Sequence, residues 1–205
     1  MRIFVTAIHT DSGKTLCSAI LTEALQADYW KPVQSGYPRD TESVKELVSN
    51  TTSTFYPEQY LLTEPMSPHA SARIDGVTID LDQITLPDAN NLVVEGAGGL
   101  MVPLNDEEYI VDLIEKLQIP VILISNLYLG SINHSLLSIN ELKRRNIPVA
   151  GIIFNGDSNP ESERIIEAHS GYPVLLRVPT LKEVTPETVK QYAAILAENL
   201  SELNK

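Results

Sequence analysis

Met1-Arg-Ile-Phe-Val-Thr-Ala-Ile-His-Thr-Asp-Ser-Gly-Lys-Thr15 decides the fold. Its first seven residues are an apolar, β-branched run of the kind that forms a buried strand. A polar turn follows and ends in Gly13-Lys14-Thr15. Beyond it, Cys17, Ile20, Leu21, Ala24 and Leu25 recur at helical spacing and mark one face of a helix. A strand that turns sharply through Gly-Lys-Thr into a helix is the setting of a phosphate-binding loop. There Gly lets the backbone approach oxygen, Lys neutralises phosphate charge, Thr offers a hydroxyl to Mg²⁺, and the helix N-terminus supplies N–H donors. The common G-x-x-x-x-G-K-[ST] spacing is not met, because Ile8 stands where its first Gly belongs. A chance Gly-Lys-Thr at a helix start is the competing reading of the loop alone.

The same alternation continues outward. Strands are expected at Tyr29–Val33, Asn91–Glu95, Val121–Ile124, Val149–Phe154 and Pro173–Val178. Helices are expected after Asp40, over Ile110–Leu117, Ile132–Arg145 and Ser162–His169, and on Val189, Tyr192, Ala193, Leu196, Leu200 and Leu203. The segment 49–87 holds four prolines and reads as loops with short elements. Continuous apolar strands alternating with helices predict a single-domain, doubly wound α/β fold over residues 1–205, with a mainly parallel sheet covered on both faces. Ligands of such sheets lie beyond the carboxyl ends of the strands.

Composition narrows the function. The 205 residues carry 15 basic and 27 acidic side chains, a net charge of −12. So acidic a chain is not expected to grip nucleic acid or an anionic membrane through its overall field. Any bound phosphate must be held by local geometry and a metal. One cysteine excludes a disulfide framework and a multi-cysteine metal site. Neither a signal peptide nor a membrane span is legible, so a cytoplasmic location is expected. No nucleophile-elbow serine and no G-x-G-x-x-G fingerprint stand in the right places.

Several residues could carry chemistry. Glu95, at an expected strand end before Gly96-Ala97-Gly98-Gly99, reads as a Mg²⁺ ligand or as an exposed acid in a tight turn. Lys31, leaving a strand in Lys31-Pro32-Val33-Gln34-Ser35-Gly36, reads as a cation for a transferring phosphoryl group or as a surface lysine. Asp40 reads as a helix cap, a metal ligand, or both. His69 in Ser67-Pro68-His69 reads as a helix-start residue, and Asn133-His134 as caps or contacts. Asn155, before Gly156, suits a nucleobase edge or a turn. Cys17 falls on the apolar helix face and reads as core.

The order of these motifs resembles dethiobiotin synthetase. Thr-x-x-Thr-[acid]-x-Gly-Lys-Thr is followed by Lys-Pro-Val-x-Ser-Gly, Ser-Pro-His, Val-Glu-Gly-Ala-Gly-Gly and Leu-Gly-x-Ile-Asn-His, over residues 1 to about 155. More loosely, the likeness extends to Val178-Pro179-Thr180-Leu181. The resemblance implies a variant P-loop NTPase fold, a homodimer, and ATP- and Mg²⁺-dependent conversion of 7,8-diaminopelargonic acid and CO₂ to dethiobiotin. It implies that Asp11, Ser12, Gly13, Lys14 and Thr15, with Cys17, surround the ATP phosphates, and that Asn155, Pro179, Leu181 and Glu183 meet adenine. Thr15, Asp40 and Glu95 would hold the metal. Lys14 and Lys31 would be catalytic, and Thr10, Ser35, Gly98 and Asn133 would bind substrate, Asn133 from across the dimer. Two departures stand out: Ala7 and Asp11 replace the family's usual Gly and Glu. An Ala is tolerable only if its φ is negative. A cobyrinate-type amidating synthase would need an added glutaminase domain. A partitioning ATPase would show an early loop lysine that Ala7-Ile8-His9 lacks, and an inactive paralogue fits poorly with both lysines being present.

Overall fold

The computed structural model describes residues 1–203. In chain order it contains β1 (Arg2–Ala7), α1 (Lys14–Leu25), β2 (Asp28–Trp30), β3 (Val33–Ser35), α2 (Asp40–Leu47), β4 (Phe55–Tyr56), β5 (Tyr60–Leu62) and α3 (Pro68–Ile74). The second half contains β6 (Leu92–Gly99), α4 (Ile110–Leu117), β7 (Val121–Asn126), α5 (Ser131–Arg144), β8 (Val149–Asn155), α6 (Pro160–Ser170), β9 (Val174–Val178) and α7 (Pro186–Leu203). The side chain of Leu203, the last apolar position expected on α7, lies outside the described residues.

Seven strands form one sheet in the order β4-β2-β6-β1-β7-β8-β9, and every pairing is parallel. Parallel strands bury both faces, which explains their unbroken apolar runs. On one face, Ile3, Val5 and Ala7 of β1 pack with Cys17, Ile20 and Leu21 of α1 and Val189 and Leu196 of α7. On the other, Phe4 packs with Ile110, Leu113 and Ile114 of α4, while Leu123 and Ile152 meet Ile139 of α5 and Ile166 of α6. Each fully buried Leu, Ile or Phe contributes about 1.5–3 kcal/mol. Among the described residues no helix is long and apolar enough to cross a membrane.

Two local expectations are corrected. The single strand expected over Tyr29–Val33 is two strands in different sheets. Pro32 has no N–H to continue the ladder, and its carbonyl instead accepts from Tyr60 N–H at 2.9 Å, starting a separate β3-β5 pair. The strand expected to stop at Glu95 runs on to Gly99. Val5 pairs with Glu95 but Ala7 with Gly99, so β6 bulges through its glycines. A Cβ at Gly96 would come within 2.8 Å of the Phe4 ring, so the bulge needs glycine there.

Candidate active site

The carboxyl ends of β1, β2 and β6 converge on a cleft of about 710 Å³. The β1–α1 turn forms its floor. Gly13 has φ +84°, and α1 opens with no side-chain cap and no acid in its first turn. The first N–H groups of a helix have no intrahelical partner. Ala7 lies in β1 and has no positive φ, the condition under which an Ala is tolerable there. Asp11 has φ +58°, a left-handed conformation that Asp tolerates better than longer side chains.

Lys14 is buried, its Nζ 3.4 Å from the His9 carbonyl. Burial, and then Lys31 nearby, push its pKa down, against the pull of Glu95, Asp40 and Asp11. Thr15 Oγ1 donates to Asp40 Oδ1 at 2.9 Å and lies 3.5 Å from Glu95 Oε1. Lys31 is 3% exposed, and its ammonium bridges Asp40 at 2.8 Å and Glu95 at 3.1 Å. Burial alone would lower the Lys31 pKa, but the two carboxylates outweigh it and hold it raised. For Asp40, burial works upward, and Lys31 and Thr15 overcome it to hold the carboxyl below its ordinary range. Lys31 is therefore not a surface lysine, and Glu95 is not an exposed turn acid: it is 1% exposed.

Asp40 begins α2, but Arg39 occupies the cap position and the Asp40 carboxylate caps nothing. Its backbone N–H donates to Gln34 Oε1 at 3.1 Å, which fixes α2 to β3. Thr10, Asp11, Gly13, Ser35 and Gly98 also line the cleft. Ser35 Oγ is buried there without a hydrogen-bond partner among the described residues. Gly98 has φ +68°, and a Cβ on it would lie 2.6 Å from Val102 Cγ2.

Other expected residues lie elsewhere. The Cys17 side chain is wholly buried in the core beneath the turn, as its place on the apolar helix face predicts, and burial raises its thiol pKa to about 12. The Ser12 hydroxyl turns inward, 2.9 Å from both the His9 carbonyl and Asn126 Oδ1. Asn155 Nδ2 donates to the Ser12 carbonyl at 2.9 Å, so it braces the turn from β8. Pro179 and Glu183 are exposed and Leu181 half-buried in the loop after β9. Asn133 is exposed in the first turn of α5, outside the cleft, and Gly130 rather than Asn133 is the cap. His134 hydrogen-bonds the Tyr128 hydroxyl. His69 sits in the first turn of α3, its N–H donating to the Pro103 carbonyl. Gln34, Met66, Ser67 and Val102 also stand in the cleft wall; in the sequence, Gln34 falls within the Lys31–Gly36 motif and Ser67 within Ser-Pro-His, while Met66 and Val102 carry no signal.

The oxygen donors Thr15, Asp40 and Glu95 fit Mg²⁺, which takes one or two carboxylates together with phosphate oxygens. Two of them, Asp40 and Glu95, already pair with one cation, the Lys31 ammonium.

A family model described as an AAA domain matches residues 1–188. A putative plasmid partition protein of Borrelia burgdorferi bound to AMPPNP superposes with a TM-score of 0.59 at 12% identity, covering 98% of each chain. The MinC:MinD cell division complex of Aquifex aeolicus gives 0.58 at 12% identity, over 98% of this chain and 96% of that one. Fold and turn together define a P-loop NTPase-like protein. The ATP-dependent dethiobiotin synthetase BioD of Cytophaga hutchinsonii is 56% identical over 97% of this chain and 98% of its own, and that of Christiangramia forsetii is 48% identical over 98% of both. The chain belongs to the dethiobiotin synthetase family.

Proposed function

We propose that the chain, as one P-loop NTPase-like unit, closes 7,8-diaminopelargonic acid with CO₂ to dethiobiotin at the expense of ATP, a step of biotin biosynthesis. The observation that carries this reading is the convergence of Lys14, Thr15, Lys31, Asp40 and Glu95 on one cleft, in a chain so close to named synthetases. One substrate amine adds to CO₂ and loses a proton, giving a carbamate. A carbamate oxygen takes the γ-phosphoryl group of ATP, and ADP leaves. The second amine attacks the carbonyl carbon of the mixed anhydride, phosphate departs, and the ureido ring closes.

Phosphoryl transfer of this kind needs positioning and positive charge more than covalent help. Lys14 and the N–H groups opening α1 bind the phosphates. Lys31 would meet the charge moving between carbamate and phosphate. Thr15, Asp40 and Glu95 are the residues that would hold Mg²⁺, which when bound neutralises phosphate oxygens. Thr10, Ser35 and Gly98 hold the reacting end of the substrate; the buried, unpartnered hydroxyl of Ser35 supports this. Asn155 and the 179–183 loop border the adenine, with Asp11 at the phosphate side.

A second hollow of about 380 Å³ shares Thr10 and Val102 with the cleft and leads to Met101, His134 and Leu137. Leu129, Leu137 and Met101 are exposed around α5. We read this face as the homodimer contact, with the Asn133 of a second copy receiving the substrate carboxylate. The location is cytoplasmic in this reading. The test is phosphate release from ATP, Mg²⁺ and bicarbonate, with and without the diamine, alongside mass detection of dethiobiotin. Diamine-dependent release matched one-to-one by product is expected; release indifferent to the diamine would refute the reading.

A further inference from the structure

Tyr29 contributes to the cleft without lining it. On β2 it pairs with Val93 of β6, and Glu95, two residues further along β6, projects from the same face of the sheet. The ring is wholly buried, 6.2 Å from the Phe55 ring between centroids and within the apolar layer that holds Ile20 and Val44. Its hydroxyl has one hydrogen-bond partner among the described residues: it donates to Glu95 Oε2 at 3.0 Å. A phenylalanine would fill this space without bringing a polar group into the core, where an unpaired hydroxyl is unfavourable. What the hydroxyl does must therefore be sought at the carboxylate.

The two oxygens of Glu95 have different neighbours. Oε2 accepts from Tyr29, while Oε1 faces Lys31 at 3.1 Å and Thr15 at 3.5 Å, on the cleft side. The last torsion of a glutamate is broad and two-fold, so without a fixed donor behind it the group could turn. We propose that Tyr29 is a positioning residue: by holding Oε2 of Glu95, it leaves Oε1 as the one oxygen this carboxylate offers to the divalent cation that accompanies the nucleotide. The inference rests on the reading of the cleft as a magnesium–nucleotide site. A carboxylate gripping through a single oxygen suits the small, near-octahedral Mg²⁺, whereas a two-oxygen grip is common for Ca²⁺. Tyr29 thereby favours the smaller ion.

The test uses the full chain as wild type, Tyr29→Phe, Glu95→Gln and the double variant. ADP binding is measured in EDTA, and Mg²⁺ and Ca²⁺ are then titrated calorimetrically into each ADP complex. Tyr29→Phe should bind ADP in EDTA as wild type does, which also reports that it folds. It should bind Mg²⁺ about tenfold more weakly, the usual size of effect for a group behind a metal ligand, with Ca²⁺ less affected. In the Glu95→Gln background the same change should cause no further loss of Mg²⁺. Unchanged Mg²⁺ binding in Tyr29→Phe overturns the proposal. So does an equal loss in the Glu95→Gln background, which would mark a packing effect. If the wild-type ADP complex itself takes up no Mg²⁺, the reading of the cleft fails first and the role of Tyr29 falls with it.

Discussion

Lys31→Met isolates what the buried ammonium contributes. In the wild-type cleft it lies 3.1 Å from a carboxylate with no exposed side-chain surface, Glu95, and 2.8 Å from Asp40, which is partly solvated. Methionine fills a similar volume and removes the charge. Glu95 is then a buried anion whose remaining close donors among the described residues are Tyr29 and Thr15. Removing one partner of a buried ion pair typically destabilises by about 3–5 kcal/mol. An unfolding entropy of about 2.1 cal/mol/K per residue over 205 residues is about 0.43 kcal/mol/K, so the variant should melt about 7–12 °C below wild type. The assay is a melt by circular dichroism at pH 7 without nucleotide. Lys31→Met/Glu95→Gln, which also removes the stranded charge, should regain more than half of the loss. A single variant melting within about 2 °C of wild type would refute the reasoning, and so would a double variant no more stable than the single one.

Other predictions concern turnover, assembly and acid stability. Lys14→Ala should lower diamine-dependent turnover by at least about a hundredfold, the usual loss on removing a group that stabilises transferring charge; a near-normal rate in the phosphate-release assay would remove Lys14 from the phosphate site. Mixing inactive Asn133→Ala and Lys14→Ala chains should restore about a quarter of the sites under random exchange in a two-fold dimer. No recovery would place each site within one chain. Glu141, hydrogen-bonded by Arg144 and then Arg145 and less than a fifth exposed, has its pKa lowered to about 2. A depressed carboxyl stabilises the fold above its ordinary pKa and loses that effect as pH falls toward its folded value. Glu141→Gln should therefore cost about 1 kcal/mol at pH 6, a figure reduced for solvent screening, and the gap should close between about pH 4.5 and pH 2 in denaturant titrations. A gap that stays constant across that range contradicts the assignment.

Much of the fold was legible because the apolar runs of β1, β7 and β8 and the helical spacing of α1, α4 and α7 each stand in one continuous segment. The charge cluster was legible only residue by residue. Glu95 lies far in sequence from Lys31 and Asp40, and what brings it to them is the placing of β6 between β1 and β2, which no local pattern encodes. The same cause hid Tyr29: an aromatic in a short strand looks like core, and it is core, except for one hydroxyl. The strand break at Pro32 was in principle readable from the missing N–H. The passage of β6 through four residues rich in glycine was not, because Gly signals turns more often than bulges. Asn155 ends β8 as its sequence position implies, but its amide turns toward the loop backbone at Ser12.

The small β3-β5 sheet has a consequence for how such a cleft can change over time. Lys14, Thr15 and Glu95 stand on the central sheet and the helix it feeds, whereas Ser35, Gln34 and the 65–68 stretch come from the side sheet and the start of α3. The half of the cleft that carries Lys14 and Thr15 and the wall opposite thus belong to separate pieces of architecture, joined through Lys31-Pro32 and the hydrogen bond between Gln34 and Asp40. Substitutions at Gln34, Ser35 or the 65–68 stretch therefore reshape that wall while the strands and helix that carry Lys14, Thr15 and Glu95 keep their packing.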